Sequence, residues 1–373
     1  MDRAVYMDFN ASAPLRPEAE AATVAALRLS GNPSSVHRFG RLARRAVEDA
    51  REDVARLIHA APAEIVFTGG GTEANALALG GAGRARILAS AVEHDSVLRN
   101  ADCETIPVNG EGIVDLEALE AMLAAGARPA LVALMLANNE TGAIQPVAEA
   151  AEIAHRFGAL LLCDAVQAAG KIDVDVTGLG ADLLSLSAHK LGGPKGAGAL
   201  YVAPDVALKP ILAGGGQERR LRAGTENVPG IAGFGAAARA ALSALSQFAG
   251  LARLRDALEQ RVRRLAPEAR VFGAGAARLP NTSCLAMPGV AGETQVIAFD
   301  LAGIAVSSGA ACSSGKVEPS RVLRAMGVCA ETAGTAVRVS LGWSSGEDDI
   351  DRFVEAWGGL YAARQSSASA PAA

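Results

Sequence analysis

The sequence predicts an α/β protein organised around a largely parallel β-sheet. The chain has 373 residues, which favours two domains over one small module. Half of the residues are hydrophobic and only 4% are aromatic, so the core must be built mostly from Ala, Leu and Val. Between residue 17 and about residue 200, apolar runs of strand length alternate with helical patterns. This alternation is typical of βαβ units and predicts the parallel sheet.

Six strands are predicted for this first part of the chain. In order, they cover residues 64–68, 85–90, 130–136, 159–163, 182–187 and 199–203. Helices are predicted in most of the gaps between them. Pro17 suits the first position of a helix, and the acidic residues that follow Asp115 and Pro146 complement the positive end of a helix dipole.

The domain organisation follows from a change of pattern after Pro229, where a long Ala-rich helical stretch precedes a series of short strands and helices. We therefore predict a large domain over residues 15–249. A smaller α+β domain is predicted from residues 1–14 and 250–365. The last residues, 366–373, are small and polar without periodicity, and we expect them to be disordered.

Charge and hydropathy exclude several classes of partner. The net charge is −5, a mild acidic balance that offers no footprint for nucleic acid or anionic lipid. No apolar run approaches the roughly 18 residues that a membrane span needs, and the N-terminal residues lack a signal-peptide pattern. We therefore expect a cytoplasmic protein that acts on a small substrate or a diffusible partner, without nucleic-acid or membrane partners.

A glycine-rich turn follows the first predicted strand of the sheet. Residues 69–75 read GGGTEAN and open an apolar helix, so that backbone N–H groups and the Thr72 hydroxyl would face any bound anion. The turn matches neither the dinucleotide-binding nor the P-loop pattern. It predicts a phosphate cradle, and the alternative is a βα turn that only packs tightly.

Polar residues also follow two neighbouring predicted strands. Asp164 ends one strand, and Lys190 comes shortly after the other. Because ligands of open α/β sheets bind at the strand ends, we expect a carboxylate and an amine to converge there. Such a pair suits pyridoxal phosphate, whose aldehyde is held by a lysine and whose ring nitrogen is held by a carboxylate. Ser187 and His189 would then join Thr72 around the phosphate. The alternative is a turn-capping aspartate and a surface lysine.

Cysteine usage singles out one thiol. The five cysteines are scattered without a C-x-x-C pair, which indicates neither a disulfide framework nor a structural zinc site; they are Cys103, Cys163, Cys284, Cys312 and Cys329. Cys163 lies in an apolar run, Cys103 and Cys284 border strand-like sequence, and we expect these three thiols to be buried packing groups. Cys312 instead lies among small and polar residues, a composition typical of an exposed, mobile loop from which a thiol can reach a substrate.

Eight ordered motifs together resemble those of cysteine desulfurases, which are fold type I pyridoxal-phosphate enzymes of the class V aminotransferase group. The motifs are residues 69–75, Glu93-His94, 138–142 (NNETG), 164–167 (DAVQ), 187–190 (SAHK), 222–225 (RAGT), 307–313 (SSGAACS) and 337–341 (VRVSL). The likeness runs from about Tyr6 to Trp357. It implies a large cofactor-binding domain with a mostly parallel seven-stranded sheet flanked by helices, and a small domain that carries the catalytic cysteine loop.

The resemblance also implies a role for each site residue. The implied cofactor-binding residues are Gly71, Thr72, Asn139, Asp164, Gln167, Ser187, His189, Lys190 and Thr225, the last from the partner subunit of a homodimer. Lys190 would form the Schiff base, Asp164 would contact the pyridinium nitrogen, and Gln167 would reach the ring oxygen. His94 would stack on the ring and move protons. Asn139 and Arg338 would bind the substrate carboxylate.

The implied reaction converts L-cysteine to L-alanine and leaves a persulfide on Cys312. The sulfur would pass to an acceptor protein such as an iron–sulfur scaffold, or toward tRNA thiolation. No resident metal is expected, and Cys312 is a candidate for a transient iron–sulfur ligand shared with a scaffold. The alternatives are a selenocysteine lyase or an aminotransferase of the same fold, and a non-catalytic relative that binds a partner. An exposed Cys312 argues against a transaminase, and Lys190 argues against a non-catalytic relative.

Overall fold

The computed structural model describes residues 4–126, 129–308, 311–313 and 316–369, with side chains except at 311–313, 316–318 and 367–369. The strands are β1 (Val5–Tyr6), β2 (Ile65–Thr68), β3 (Arg86–Ser90), β4 (Cys103–Ile106), β5 (Ala130–Met135), β6 (Leu160–Asp164), β7 (Leu183–Ser187), β8 (Gly198–Val202), β9 (Arg270–Val271), β10 (Thr282–Ala286), β11 (Ile304–Ala305), β12 (Ser307–Ser308), β13 (Ala311–Ser313), β14 (Lys316–Glu318) and β15 (Ala336–Ser340). The helices are α1 (Pro17–Leu27), α2 (Arg38–Leu57), α3 (Gly71–Gly81), α4 (Asp95–Leu98), α5 (Leu116–Ala125), α6 (Val147–Arg156), α7 (Val228–Ser243), α8 (Leu245–Ala249), α9 (Leu251–Leu265), α10 (Gly292–Leu301), α11 (Arg321–Ala325), α12 (Ala330–Ala333) and α13 (Glu347–Ser369).

Seven strands form the central sheet, in the order β2-β8-β7-β6-β5-β3-β4. The strands from β7 to β4 run parallel, and β8 is antiparallel to both of its neighbours. The six strands predicted from the sequence are all present, within one or two residues at each end. The seventh, β4, lies at the sheet edge and is partly exposed. Its mixed sequence, CETI, lacks the apolar run by which the other strands were recognised.

Helix positions follow local signals. Pro17 begins α1 as predicted, and the Asp115 side chain caps α5 by accepting the N–H of Ala118. The long helical stretch predicted after Pro229 is divided into α7, α8 and α9.

Within the residues that the structure describes, no single helix is long and apolar enough to cross a membrane. One pair, α7 with residues 245–265, meets that test jointly by length and composition, at a bend of 64°.

Small residues allow the helices to approach closely. Helix α7 packs on α1 and α2 beside the sheet. A Cβ added to Gly235 of α7 would lie 2.6 Å from the Cα atom of Ala50 in α2. This contact distance explains why the helix is rich in Ala and Gly, since larger side chains would force the backbones apart.

The C-terminal part of the chain has a separate core. Its main sheet has the order β12-β15-β10-β9, and β1 pairs in parallel with β11, which brings the chain start to this region. Trp357 and Phe353 of α13 are fully buried in its core. Helix α13 continues to Ser369, so residues 366–369 are helical where we expected disorder. Extending an existing helix costs far less than starting one, and small residues do not hinder it. The rest of the expected tail, 370–373, lies outside the described residues.

Candidate functional site

Strand ends of the central sheet and residues of the C-terminal part line one cavity of about 430 Å³. Ten of the predicted site residues line it: Gly71, Thr72, His94, Asn139, Asp164, Gln167, Ser187, His189, Lys190 and Arg338. This volume is within the range that holds a cofactor-sized ligand. Thr225 is exposed and does not line the cavity. Cys312 lies in β13, and its side chain is outside the described residues.

The glycine-rich turn shapes one end of the cavity. Gly70 has φ +152°, a conformation that side chains rarely adopt, and it precedes the first turn of α3. A Cβ at Gly71 would lie 2.7 Å from Cγ2 of Val166, so a side chain there would intrude on the turn that follows Asp164. The first N–H groups of a helix have no acceptor within the helix. The start of α3 is therefore an anion site, next to the Thr72 and Ser187 hydroxyls.

A hydrogen-bond chain connects Asp164 to His94. Asn75 Nδ2 donates to Asp164 Oδ2 at 2.8 Å and to Ser96 Oγ at 2.9 Å. Ser96 Oγ lies 2.9 Å from His94 Nδ1. The other oxygen of Asp164, Oδ1, accepts the N–H of Val166 at 3.0 Å. The carboxylate at the end of β6 is thus held by two donors while its residue lines the cavity.

The same chain determines the tautomer of His94. The backbone N–H of Ser96 donates to His94 Nδ1 at 3.1 Å, so this nitrogen carries no proton in the neutral ring. Because Ser96 Oγ accepts a hydrogen bond from Asn75, its own proton is free to point at the same nitrogen. The neutral imidazole therefore carries its proton on Nε2.

Lys190 lies in a short 3₁₀ turn, Ala188–Lys190, directly after β7. Its Nζ donates to the carbonyl oxygens of Asn10 at 2.7 Å and Ala11 at 3.0 Å. Burial, and then the positive charge of Arg338, lower the pKa of Lys190 to about 8, against the opposing effect of Asp164. About a tenth of this amine is therefore uncharged at pH 7, far more than for a lysine with the usual pKa, and the neutral form is the nucleophile.

His189 lines the cavity beside Lys190. Burial and the neighbouring Lys190 lower the pKa of His189 to about 4, so the ring is neutral at pH 7. Its Nδ1 lies 3.3 Å from Ser12 Oγ. A neutral imidazole offers one N–H donor and adds no charge to the site.

Arg338 projects from β15 into the cavity, on the side of the C-terminal core. Its Nη2 donates to Asp8 Oδ1 at 2.7 Å, and its Nη1 donates to the Asn139 carbonyl at 3.1 Å. Its buried Nε has no acceptor among the described residues. The two terminal nitrogens each keep a second N–H, and a guanidinium that lines a cavity in this way is suited to bind a further carboxylate.

Both ends of the segment that carries Cys312 are attached to this site. At the first end, Ser307 pairs with Arg338 between β12 and β15. At the other end, Ser320 donates its hydroxyl to the partly buried Glu140, and Arg321 donates to Asp95 at 2.7 Å. Between them we expected an exposed, mobile loop, and the residues described there include a short antiparallel hairpin of β13 and β14, which we did not predict. The prediction missed it because strands of three residues carry too little alternation to be recognised.

The other four cysteines differ in environment. Cys163 and Cys284 are buried in strands, as expected, and burial raises the pKa of both thiols. Cys103 was also expected to be buried, but it is only partly buried because β4 is an edge strand. Its partial burial still raises the pKa of its thiol. Cys329 is exposed, and a hydrogen bond to Thr332 lowers its pKa. Cys329 is thus the thiol against which any role of Cys312 must be tested.

Several contacting residues were not singled out from the sequence. These are Asp8, Ser96, Glu140 and Lys171. Of these, Lys171 could most easily have been recognised from the sequence, because it is an isolated cation in the otherwise small and apolar run 168–172 (AAGKI). It is buried, with 3% of its surface exposed, and lies four residues after Gln167.

Comparison with known proteins identifies close relatives. The chain matches the aminotransferase class-V family over residues 5–353. It is 48% identical over 367 residues to a cysteine desulfurase of Cereibacter sphaeroides, with 94% of each chain covered. It is 41% identical over 367 residues to the cysteine desulfurase IscS of Dictyoglomus turgidum, covering 94% of this chain and 93% of that relative.

Solved structures agree with this assignment. A NifS-like protein from Rickettsia africae has a TM-score of 0.90 at 34% identity, with 96% of this chain and 100% of that chain covered. SspA in complex with cysteine has a TM-score of 0.77 at 28% identity, with 90% of this chain and 98% of that chain covered. These comparisons confirm the resemblance and the α/β fold inferred from the sequence.

Proposed function

The chain belongs to the class V aminotransferases and, within them, to the cysteine desulfurases, and we propose which of its residues convert L-cysteine to L-alanine and sulfur. The family uses pyridoxal phosphate. The observation that carries the proposal is the meeting of Lys190, Asp164 and Arg338 in one cavity, from three distant parts of the chain. The Lys190 amine suits the cofactor aldehyde, the Asp164 carboxylate suits the ring nitrogen, and the Arg338 guanidinium suits the substrate carboxylate.

The residues present fit pyridoxal phosphate. The start of α3 offers unpaired N–H groups to a phosphate, and Gly71 leaves space that a Cβ would fill. Gly71, Thr72, Ser187 and His189 would hold the phosphate. Asp164 would hold the ring nitrogen, Lys190 would bind the aldehyde carbon, and Gln167, His94 and Asn139 would contact the ring. When bound, the cofactor supplies an electron-accepting ring that stabilises negative charge at the substrate α-carbon.

Arg338 binds the substrate carboxylate in this proposal, together with Asn139. Arg338 lines the cavity, and each of its terminal nitrogens has a second N–H beyond the bonds to Asn139 and Asp8, which supports this role. Lys190, with its pKa lowered to about 8, takes the α-proton once the substrate has displaced it. His94 presents Nε2–H to the cavity and moves a proton to or from a sulfur atom.

Sulfur leaves the substrate by transfer to Cys312. The Cys312 thiolate attacks the substrate sulfur, an S–S bond forms, and the Cβ–S bond of the substrate breaks. The electron pair of that bond stays with the carbon skeleton, which is protonated and leaves as L-alanine. The result is a persulfide on Cys312. Attachment of both ends of the Cys312 segment to the site, through Ser307 and Ser320, supports an approach of this thiol to the cavity.

The test of these roles uses the purified holoenzyme. Wild-type protein should be yellow, release alanine from L-cysteine, and become covalently labelled at Lys190 on borohydride reduction. Lys190→Ala should lose both the label and turnover, whereas Lys209→Ala, at an exposed lysine, should keep both. Turnover by Lys190→Ala would refute the assignment. Activity of the wild type toward selenocysteine, or toward a keto acid with L-alanine, would identify the alternatives.

We also propose a homodimer in which Thr225 completes the partner's phosphate site. Thr225 is exposed at the end of the polar, glycine-rich segment 214–225. This segment contains a left-handed turn, with φ of 44°, 54° and 66° at Glu218, Arg219 and Arg220. The Glu218 carboxylate holds the turn by a buried pair with Arg51 at 2.7 Å. A strained turn anchored in this way supports a defined position for the residues beyond it.

Mixed dimers test this arrangement. Lys190→Ala and Thr225→Ala are each expected to be impaired as homodimers, because each lacks one component of every site. After mixing and subunit exchange, a hybrid dimer would contain one intact site, so activity should reappear. A monomeric active protein, or no complementation despite exchange, would contradict the proposal.

Transfer of sulfur to an iron–sulfur scaffold protein and a cytoplasmic location both remain predictions. The transfer is tested by following labelled persulfide sulfur from the holoenzyme to an acceptor protein in native extract.

A further inference from the structure

Lys171 is a buried cation for which the reaction described above has no use. Its Nζ donates to Asn10 Oδ1 at 2.7 Å and to Gln167 Oε1 at 2.7 Å. Burial, and then the positive charges of Lys190 and Arg338, lower the pKa of Lys171 well below its usual value.

The chemistry of Lys171 determines the orientation of two amide groups. The atoms that face Lys171 from Gln167 and Asn10 are both amide oxygens, which accept the N–H groups of the lysine. The Gln167 nitrogen is therefore turned away from Lys171, and it donates to the carbonyl of Asn10 at 2.9 Å. Gln167 Nε2 keeps a second N–H, and the residue lines the cavity.

Asn10 is oriented by the same amine. Because its Oδ1 faces Lys171, its Nδ2 donates to Thr282 Oγ1 at 2.9 Å and to the carbonyl of Asn139 at 3.2 Å. The backbone carbonyl of Asn10 also accepts the hydrogen bond from Lys190. Lys171 thus supports the cofactor side and the substrate side of the cavity without lining it.

We propose that Lys171 is a positioning residue that locks the amide of Gln167, so that its nitrogen rather than its oxygen faces the ring oxygen of bound pyridoxal phosphate. The inference rests on the proposed function, because it needs the cofactor ring beside Gln167. Without Lys171 the amide oxygen loses its donor, and only the hydrogen bond to the Asn10 carbonyl opposes a rotation that would present the oxygen to the ring. Two oxygens would then face one another, and a hydrogen bond would be replaced by repulsion.

The visible absorption band of the bound cofactor reports this contact. An N–H donor stabilises negative charge on the ring oxygen, which favours the deprotonated chromophore and lowers the pH at which the band changes. Lys171→Met keeps the length of the side chain and removes its donors. We expect the titration midpoint of the holoenzyme to rise by about one pH unit and cofactor retention to weaken. Lys190, Asp164 and Arg338, the charged groups around the chromophore, are unchanged in this variant.

A double-mutant cycle shows whether Lys171 acts through Gln167. Gln167→Met should raise the midpoint at least as far as Lys171→Met, and the double variant should match Gln167→Met alone. Val174→Ala, in the core three residues further along, controls for general loosening and should leave the midpoint unchanged. A wild-type midpoint in Lys171→Met, or additive shifts in the double variant, would overturn the proposal. Failure of the wild type to bind the cofactor or to release alanine would instead refute the proposed function.

Gln167→Glu provides a second test of the proposal, which remains valid if Lys171→Met does not fold. A carboxylate at this position would pair with the Lys171 amine, which offsets the loss of the N–H that faces the Asn10 carbonyl, so the variant should remain folded. The titration midpoint should still rise, because the carboxylate has no N–H to donate. A wild-type titration midpoint in Gln167→Glu would overturn the proposal.

Discussion

Asp8 and Arg338 form an ion pair in which Nη2 donates to Oδ1 at 2.7 Å, and the other oxygen of the same carboxylate accepts the Ser307 hydroxyl at 2.8 Å. One carboxylate therefore orients the guanidinium proposed to bind substrate and holds the first end of the Cys312 segment. Its Arg338 contact is largely shielded, with 9% and 16% of the two side chains exposed. Charge-assisted hydrogen bonds of this kind contribute more than exposed pairs.

Asp8→Asn tests this relationship through substrate affinity. The amide keeps the shape but weakens the hold on Arg338, so we expect the KM for L-cysteine to rise by about tenfold, near 1.4 kcal/mol. A smaller fall in kcat should accompany it, through loss of the Ser307 contact. Steady-state kinetics on the holoenzyme measure both quantities. Asp300→Asn, at an exposed site, is the control; an unchanged KM in Asp8→Asn would show that Arg338 needs no such support.

His94 should carry its proton on Nε2, and Ser96 should be one reason for this. Nitrogen NMR of histidine-labelled protein distinguishes the two tautomers directly. In Ser96→Ala the backbone N–H of residue 96 still donates to Nδ1, so the tautomer should persist with a larger minor population. We expect kcat to fall by roughly threefold to tenfold, which corresponds to one lost hydrogen bond of about 1 kcal/mol. A proton on Nδ1 in the wild type would contradict the geometry.

The lowered pKa of Lys190 predicts a distinctive reactivity. Below pH 8 most of this amine is protonated and cannot attack an electrophile, and as the pH rises through about 8 the neutral amine becomes dominant. Acylation of the cofactor-free chain at Lys190, measured by mass spectrometry of the digest, should therefore rise with a midpoint near pH 8. Exposed Lys209 in the same digest is the reference for reagent reactivity. A midpoint near 10 would show that burial and Arg338 do not depress the Lys190 pKa.

Those parts of the fold and site that depend on local pattern could be predicted from the sequence. The buried strands are recognisable as apolar runs in the sequence. The order of these strands along the chain was enough to predict that Asp164 and Lys190 lie at adjacent strand ends. The contact of Asn75 with Asp164 was beyond such reasoning, because 89 residues separate the two and only packing brings them together. The same holds for Asp8 with Arg338, which are 330 residues apart. Edge strand β4 was missed because it is partly exposed, and the hairpin of β13 and β14 because its strands have only three residues each.

Arg321 should matter for sulfur transfer more than for stability. Its ion pair with Asp95 is exposed, with 48% and 42% of the side chains accessible, so its removal should cost at most about 1 kcal/mol of unfolding free energy. The same guanidinium donates to the carbonyl of Glu93, next to His94, and so attaches the end of the Cys312 segment to the site.

We therefore expect Arg321→Ala to slow persulfide formation several-fold while its unfolding temperature stays close to that of the wild type. Rapid-quench measurement of the first turnover separates this step from substrate binding. Arg324→Ala removes the same charge from the same helix and should have little effect. Equal rates in the two variants would mean that this attachment does not position the segment.

Cys312 is the residue that separates desulfuration from other reactions of this cofactor. Cys312→Ala should still bind L-cysteine and change the absorption band, because Lys190, Asp164 and Arg338 remain. Alanine and sulfide production should collapse. Brief exposure of the wild type to L-cysteine, followed by mass spectrometry without reductant, should show a persulfide on the Cys312 peptide.

Cys329 is the stringent control for that experiment, since it is exposed and its pKa is lowered by Thr332. If exposure and thiolate character were sufficient, Cys329 would acquire sulfur as readily as Cys312. We expect no persulfide there and wild-type activity in Cys329→Ala, because reaction with bound substrate also requires a position beside Arg338. Cys163→Ala and Cys284→Ala should affect stability alone, by about 1 kcal/mol or somewhat more. Alanine release at the wild-type rate from Cys312→Ala, or first labelling at Cys329, would assign the sulfur acceptor elsewhere.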